Sequence, residues 1–120
     1  EIFSIQEIIP SAGQGVIALQ CKNDDDYVKN VLLKINDEKT FKSVQAERNV
    51  LKVLEGDCET AVGAISVINN ENITLEAELF SLDGKERFYC KSSKDIKYAA
   101  DLGIEIGENL KKQSKGSYKK

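Results

Sequence analysis

Three cysteines, Cys21, Cys58 and Cys90, are the strongest nucleophiles in this chain, and their surroundings differ. Cys21 ends the apolar run Val16-Ile17-Ala18-Leu19-Gln20, and Cys90 closes the alternating run Arg87-Phe88-Tyr89. In such settings cysteine serves as a small hydrophobe, so both read as structural. Cys58 instead lies in the polar stretch Glu55-Gly56-Asp57-Cys58-Glu59-Thr60, a loop where a thiol can meet a reactive partner. Of the three it is the candidate nucleophile. Asp57 and Glu59 on either side disfavour a thiolate by like-charge repulsion, so an ordinary loop cysteine is the competing reading. The odd number and wide spacing point to reduced thiols rather than a disulfide framework, and no pair has the spacing of a zinc knuckle. No structural metal is expected. A thiol redox protein would want a resolving cysteine near Cys58, and none is close in sequence.

The chain has no histidine, which excludes a Ser-His-Asp triad, a Cys-His dyad and any His-ligated metal. Gly13-Gln14-Gly15 superficially suggests a phosphate loop. However, Ala18 stands where a dinucleotide fingerprint needs its third glycine, and no Lys-Ser or Lys-Thr follows. The segment therefore marks a turn or a close backbone approach, with the amide of Gln14 available beside it.

A chain of 120 residues, 41% hydrophobic and 31% charged, can build one core but not two ordinary ones. No apolar run is long enough to span a bilayer and no export signal is visible, so the expected location is cytoplasmic, with no membrane partner. The net charge is -3, with bases and acids intermixed except in the lysine-rich final ten residues. That tail has no apolar period and is expected to be solvated and frayed, and no nucleic-acid partner is expected.

The elements that must position these groups follow from periodicity. Residues 1–9 are apolar enough for a strand, Pro10-Ser11-Ala12-Gly13-Gln14-Gly15 is a turn or hinge, and residues 16–21 form a second run of strand length. Such a run needs cover on both faces, which suggests a sheet whose other strands are absent here. Asn23-Asp24-Asp25-Asp26 can cap a helix carrying Tyr27, Val28, Val31, Leu32 and Ile35. A second helix is expected from about Asp37 to Leu54, its stripe passing through Phe41, Val44, Leu51 and Leu54, with Gly56 ending it in a left-handed cap. Glu47 and Arg48 interrupt that stripe. They are either paired or held at an interface, or they snorkel at its edge.

Three short strands follow, at residues 62–68, 73–79 and 87–90, with turns at Asn69-Asn70 and Asp83-Gly84. Ile73, Leu75, Ala77 and Leu79, with Phe88 and Cys90, make one face apolar, while Thr74, Glu76 and Glu78 make the other polar. A last helix, from about Asp95 to Leu110, would turn Ile96, Ala99, Ala100, Ile104, Gly107 and Leu110 inward, and its small residues Ala99, Ala100, Gly103 and Gly107 would let it lie close to its neighbour. The expected fold is α/β of the α+β type, a three-stranded antiparallel sheet covered on one face by about three helices and preceded by a strand of an absent domain.

Three stretches, in order, resemble the porphobilinogen deaminase (hydroxymethylbilane synthase) family. Pro10-Ser11-Ala12-Gly13-Gln14-Gly15, with the run ending Gln20-Cys21-Lys22, is similar to the family's Pro-Ala-x-Gly-Gln-Gly segment and its strand ending Glu-Cys-Arg. Thr40 followed by Ala46-Glu47-Arg48 is similar to its Ala-Glu-Arg helix, and residues 54–63 resemble its cofactor loop, Gly-Gly-Cys-x-x-Pro-x-Gly. The resemblance covers essentially the whole chain. The departures are Asp57 for the second glycine, Ala61 for proline, Gln20 for glutamate and Lys22 for arginine, the last losing a bidentate fork.

The resemblance implies a transferase that joins four porphobilinogen molecules into hydroxymethylbilane, with loss of ammonia, on the route to haem. It implies a dipyrromethane primer held by a thioether to Cys58, with Gly56, Asp57 and Gln14 as cofactor-binding candidates. A thiolate is suited to add to the electrophile left when porphobilinogen loses its amine. Residues 1–22 would be a returning strand and hinge from the preceding domains, and residues 23–120 the C-terminal cofactor-attachment domain. The partners implied are the missing N-terminal domains of the same chain and the small-molecule substrate, in a monomer. The carboxylates of several pyrroles need many cationic forks, and this chain has only Arg48 and Arg87. No catalytic residue is therefore assigned within it, and the isolated chain is expected to be inactive. A small stand-alone α/β binding module without a covalent cofactor is the alternative, and for it Cys58 would be dispensable.

Overall fold

The computed structural model describes residues 2–56 and 59–120. Helix α1 (Asp26–Leu33) and helix α2 (Glu38–Leu54) precede a meander of β1 (Val62–Asn69), β2 (Asn72–Phe80) and β3 (Arg87–Asp95). A 3-10 turn (Ile96–Tyr98) then leads into α3 (Ala99–Ser114). The sheet is antiparallel in the order β1-β2-β3, as its alternating pattern and turn residues predict. Ile73, Leu75, Ala77 and Leu79 are fully buried on one face, where α2 and α3 lie side by side. Helix α1 buries none of its residues, so the layer over the sheet is made by the other two. No helix among the described residues is long and apolar enough to cross a membrane.

The starts of α1 and α2 are set by aspartates. The carboxylate of Asp25 accepts from Val28 N–H at 2.9 Å, and that of Asp37 from Thr40 N–H at 2.7 Å, each satisfying a donor that the first helical turn leaves open. The inward faces differ in part from those predicted: Leu54, Ala99, Gly107 and Leu110 are buried as expected, and others are not. Helix α2 buries Ala46, Glu47, Val50 and Leu54, while Phe41 stays 53% exposed. Helix α3 buries Leu102, Gly103, Ile106, Gly107 and Leu110, leaving Ile104 exposed. The cause is close helix approach. A Cβ on Gly103 would lie 2.1 Å from the Ala46 carbonyl oxygen, so the crossing point is chosen by small residues rather than by the bulkiest stripe.

Strand β3 runs five residues past the predicted end at Cys90. Its second half, Lys91-Ser92-Ser93-Lys94-Asp95, shows no apolar alternation and is held by polar cross-strand pairs. Lys91 pairs with Glu76 at 2.8 Å, and the Ser93 and Thr74 hydroxyls share a hydrogen bond of 2.7 Å.

The entering segment also departs from expectation. Residues 2–9 form no strand but a turn in which Ser4 N–H and Oγ both donate to Glu7 Oε2 at 2.8 Å. Ile9 and Pro10 then pass over Gly63, where a Cβ would sit 2.5 Å from the Ile9 carbonyl oxygen. Residues 16–21 have no partner strand among the described residues, and Ile17 and Leu19 are 88% and 60% exposed. With Leu32 of α1 and with Phe41 and Val44 of α2, they line an apolar groove of about 730 Å³.

Candidate functional site

The loop between α2 and β1 carries the candidate cysteine. Cys58 and Asp57 lie outside the described residues, so the site is described by what holds its two ends. Helix α2 ends at Leu54, and the left-handed cap is Glu55 (φ 53, ψ 36) rather than the predicted Gly56. A non-glycine residue in that region costs about 1 kcal/mol or more, so other contacts must hold it there. The Glu55 carboxylate receives Lys119 Nζ at 2.8 Å and Lys111 Nζ at 3.6 Å. The Lys119 hydrogen bond, reinforced by the charge of Lys111, holds the Glu55 carboxyl below its usual range. Gly56 faces Thr60 across the loop, where a Cβ would come within 3.3 Å of the threonine side chain. The two described ends of the loop therefore stand against each other.

A helix leaves its last four carbonyls without intrahelical donors. In α2 all four are satisfied. Gly56 N–H donates to Leu51 O and Glu55 N–H to Lys52 O, while Lys111 Nζ reaches Val53 O at 3.3 Å and the Tyr118 hydroxyl reaches Leu54 O at 3.0 Å. Two lysines close to a helix C-terminus also suit its negative dipole end.

This overturns the expectation of a frayed tail. Tyr118 is only 2% exposed, Leu82 N–H donates to Ser117 O at 2.8 Å, and Lys120 pairs with Glu59. The signal in the sequence was a lone tyrosine among lysines and serines, which composition alone reads as polar.

Glu47 is the second organising residue. It is buried, and its carboxylate takes Gly13 N–H at 2.7 Å on one oxygen and both Ser66 N–H (2.9 Å) and Ser66 Oγ (2.7 Å) on the other. Of the readings left open for Glu47 and Arg48, burial at a contact between segments is the one found for the glutamate. Arg48 points outward, and among the described residues it has no ion-pair partner. Glu78 plays a parallel part on the opposite sheet face, accepting Ile9 N–H at 2.9 Å and Arg87 Nε at 2.7 Å. The backbone at Ile9 and at Gly13 is thereby fastened by two buried carboxylates.

Gln14 sits exposed in the hinge turn, its N–H donating to Ser11 O at 3.1 Å. Among the described residues no hydrogen bond joins it to the loop. Cys90 is half-buried against the core, and burial, with the nearby charge of Glu105, pushes its thiol above the ordinary value. That suits a structural cysteine.

Residues 41–112, which include the Cys58 loop, match the family model described as porphobilinogen deaminase, C-terminal domain. The chain belongs to the porphobilinogen deaminase family. It is 36% identical over 110 residues to a porphobilinogen deaminase of Desulforamulus reducens, covering 92% of this chain and 36% of that protein. The porphobilinogen deaminase of an Exiguobacterium strain is 38% identical over 104 residues, covering 86% of this chain and 33% of that protein. That of Orientia tsutsugamushi is 32% identical over 113 residues, covering 93% and 38%. The chain thus spans about a third of the length of these family members, and its match to them extends to the N-terminal side of the residues that the C-terminal domain model covers.

Proposed function

We propose that this chain is the cofactor-bearing part of a hydroxymethylbilane synthase, a cytoplasmic, monomeric transferase that polymerises four porphobilinogen molecules with loss of ammonia. The observation that carries the reading is the family match across residues 41–112, with Cys58 inside it. Cys58 is the attachment residue for a dipyrromethane. The donor fits, because a thioether needs one thiol, and the loop supplies one between ends held in place by Glu55, Gly56 and Thr60. When bound, the dipyrromethane supplies the pyrrole terminus to which porphobilinogen units are added. Cys58 Sγ gives up its proton and forms one bond to carbon, and the flanking Gly56 and Asp57 belong to the same binding loop. Gln14 is a weaker cofactor-binding candidate, offering its amide from the hinge.

The other residues of the chain position rather than react. Arg87 is committed to Glu78, leaving Arg48 as the one arginine without a carboxylate among the described residues. One such group cannot bind the acetate and propionate carboxylates of several pyrroles. Those cationic forks belong to the N-terminal domains of the full-length protein, and residues 1–22 return from them. The exposed Ile17 and Leu19, and the apolar groove beside them, support that assignment. The isolated chain is accordingly inactive.

The test is the intact mass of the full-length protein beside its Cys58→Ser variant, with peptide mapping. A dipyrromethane-sized addition on Cys58, absent from the variant, is expected. A folded, complete protein without an addition, or an addition that survives Cys58→Ser, would overturn the assignment, as deaminase activity from the isolated chain would overturn its inactivity.

A further inference from the structure

We infer that the segment after α3 is a latch that positions the Cys58 loop, with Tyr118 and Lys119 as its positioning residues. The inference rests on the reading of Cys58 as the attachment site. The chain reverses at Lys115 and Gly116 (φ 49 and 86) and returns across the end of α2. It is anchored there by Ser117 O, which accepts from Leu82 N–H, and by the burial of Tyr118. From that anchor it reaches both sides of the loop. On the entry side the Tyr118 hydroxyl closes the last open carbonyl of α2, and Lys119 holds Glu55, the strained left-handed residue, by its carboxylate. On the exit side Lys120 pairs with Glu59.

Four features thus converge on one short loop: a buried aromatic anchor, a satisfied helix end, a non-glycine left-handed cap and a pair of lysine contacts. A tail serving stability alone needs only the anchor. The contacts to Leu54 O, Glu55 and Glu59 hold the chain where it enters the loop and where it leaves it. Preorganisation of this kind raises the rate of the attachment step without touching the reacting atoms.

The experiment compares Tyr118→Phe, Lys119→Ala and the double variant with the unaltered full-length protein. Two quantities are read: amide hydrogen exchange at Glu55, Gly56, Glu59 and Thr60 against amides of β2, and the rate of Cys58 alkylation by iodoacetamide in cofactor-free protein. Loss of one such hydrogen bond is expected to speed exchange at the loop ends about fivefold while β2 is unchanged. The alkylation rate is expected to change with it, and Lys119→Arg to restore both. Unchanged loop exchange and unchanged alkylation would overturn the latch. So would acceleration spread evenly through β2, which would mark a purely structural tail. Tyr118→Phe keeps the ring in the core, so the variant remains folded. Hydrogen exchange reads the latch whether or not Cys58 carries a cofactor, and the Cys58→Ser mass separates failure of the attachment reading from failure of the latch.

Discussion

The segments flanking the core behave in opposite ways to their composition. The entering segment is rich in apolar residues, yet Ile2, Phe3, Ile17 and Leu19 are largely exposed. The final segment is rich in lysine and serine, yet it docks and buries Tyr118. Apolar content did not decide docking. What decided it was whether the core offered unfilled partners. The entering segment is bound where the Glu47 and Glu78 carboxylates meet its N–H groups, where Pro10 O accepts from Ala64 N–H and where Ile9 is buried, and the tail binds where α2 presents open carbonyls.

The largest way to break this contrast is Glu47→Ala. It leaves Gly13 N–H, Ser66 N–H and the Ser66 hydroxyl without their acceptor, and is expected to destabilise by about 3–5 kcal/mol in chemical denaturation. Protease cutting in the hinge should rise in parallel. A smaller, context-dependent effect sharpens it. Ile17→Lys should shift the stability of the isolated chain by no more than about 0.5 kcal/mol, because the side chain is exposed there. In the full-length protein the same change should cost about 2 kcal/mol if a second domain covers that residue, measured by the same denaturation.

The smallest effect concerns the sheet face away from the helices, where the Tyr89 hydroxyl donates to Glu76 at 2.7 Å. That hydrogen bond to Glu76 first, and then burial of the phenol and the charge of the carboxylate, push the Tyr89 phenol up to about 12. A folded-state value above the unfolded one of about 10 means that the contribution to stability is full below about pH 10 and is lost as pH rises through 12. Absorbance titration should show a late tyrosine step that Glu76→Gln moves earlier.

Much of the fold was legible in the sequence, because its signals are local. Asp25 and Asp37 cap where aspartates are expected to cap, Leu54 ends α2, and the β2 alternation placed the buried face residue by residue. The helix faces were legible only in part: Leu54 of α2 and Ala99, Gly107 and Leu110 of α3 face inward as expected. Phe41, Val44 and Leu51 form the more conspicuous stripe, but contact with α3 is set by how closely Gly103 lets Ala46 approach, a pairing between elements far apart in sequence. The second half of β3 was missed because polar partners, which leave no hydrophobic period, hold it in register. At the candidate site, the loop and its helix end were visible, while Tyr118, Lys111 and Lys119 were not. Their role depends on α3 returning the chain to the end of α2, which no nearby residue announces.

The fastening of Pro10 and Glu47 along β1 has a consequence for self-association. β1 is an outer strand, and its outward N–H groups at Ala64 and Ser66 are taken by Pro10 O and by Glu47. A chain cut within the hinge would uncover the Pro10-bonded donor and loosen the carboxylate that covers the other. It would then present bare backbone to which a second molecule can add a strand. Material nicked there should therefore aggregate before it unfolds.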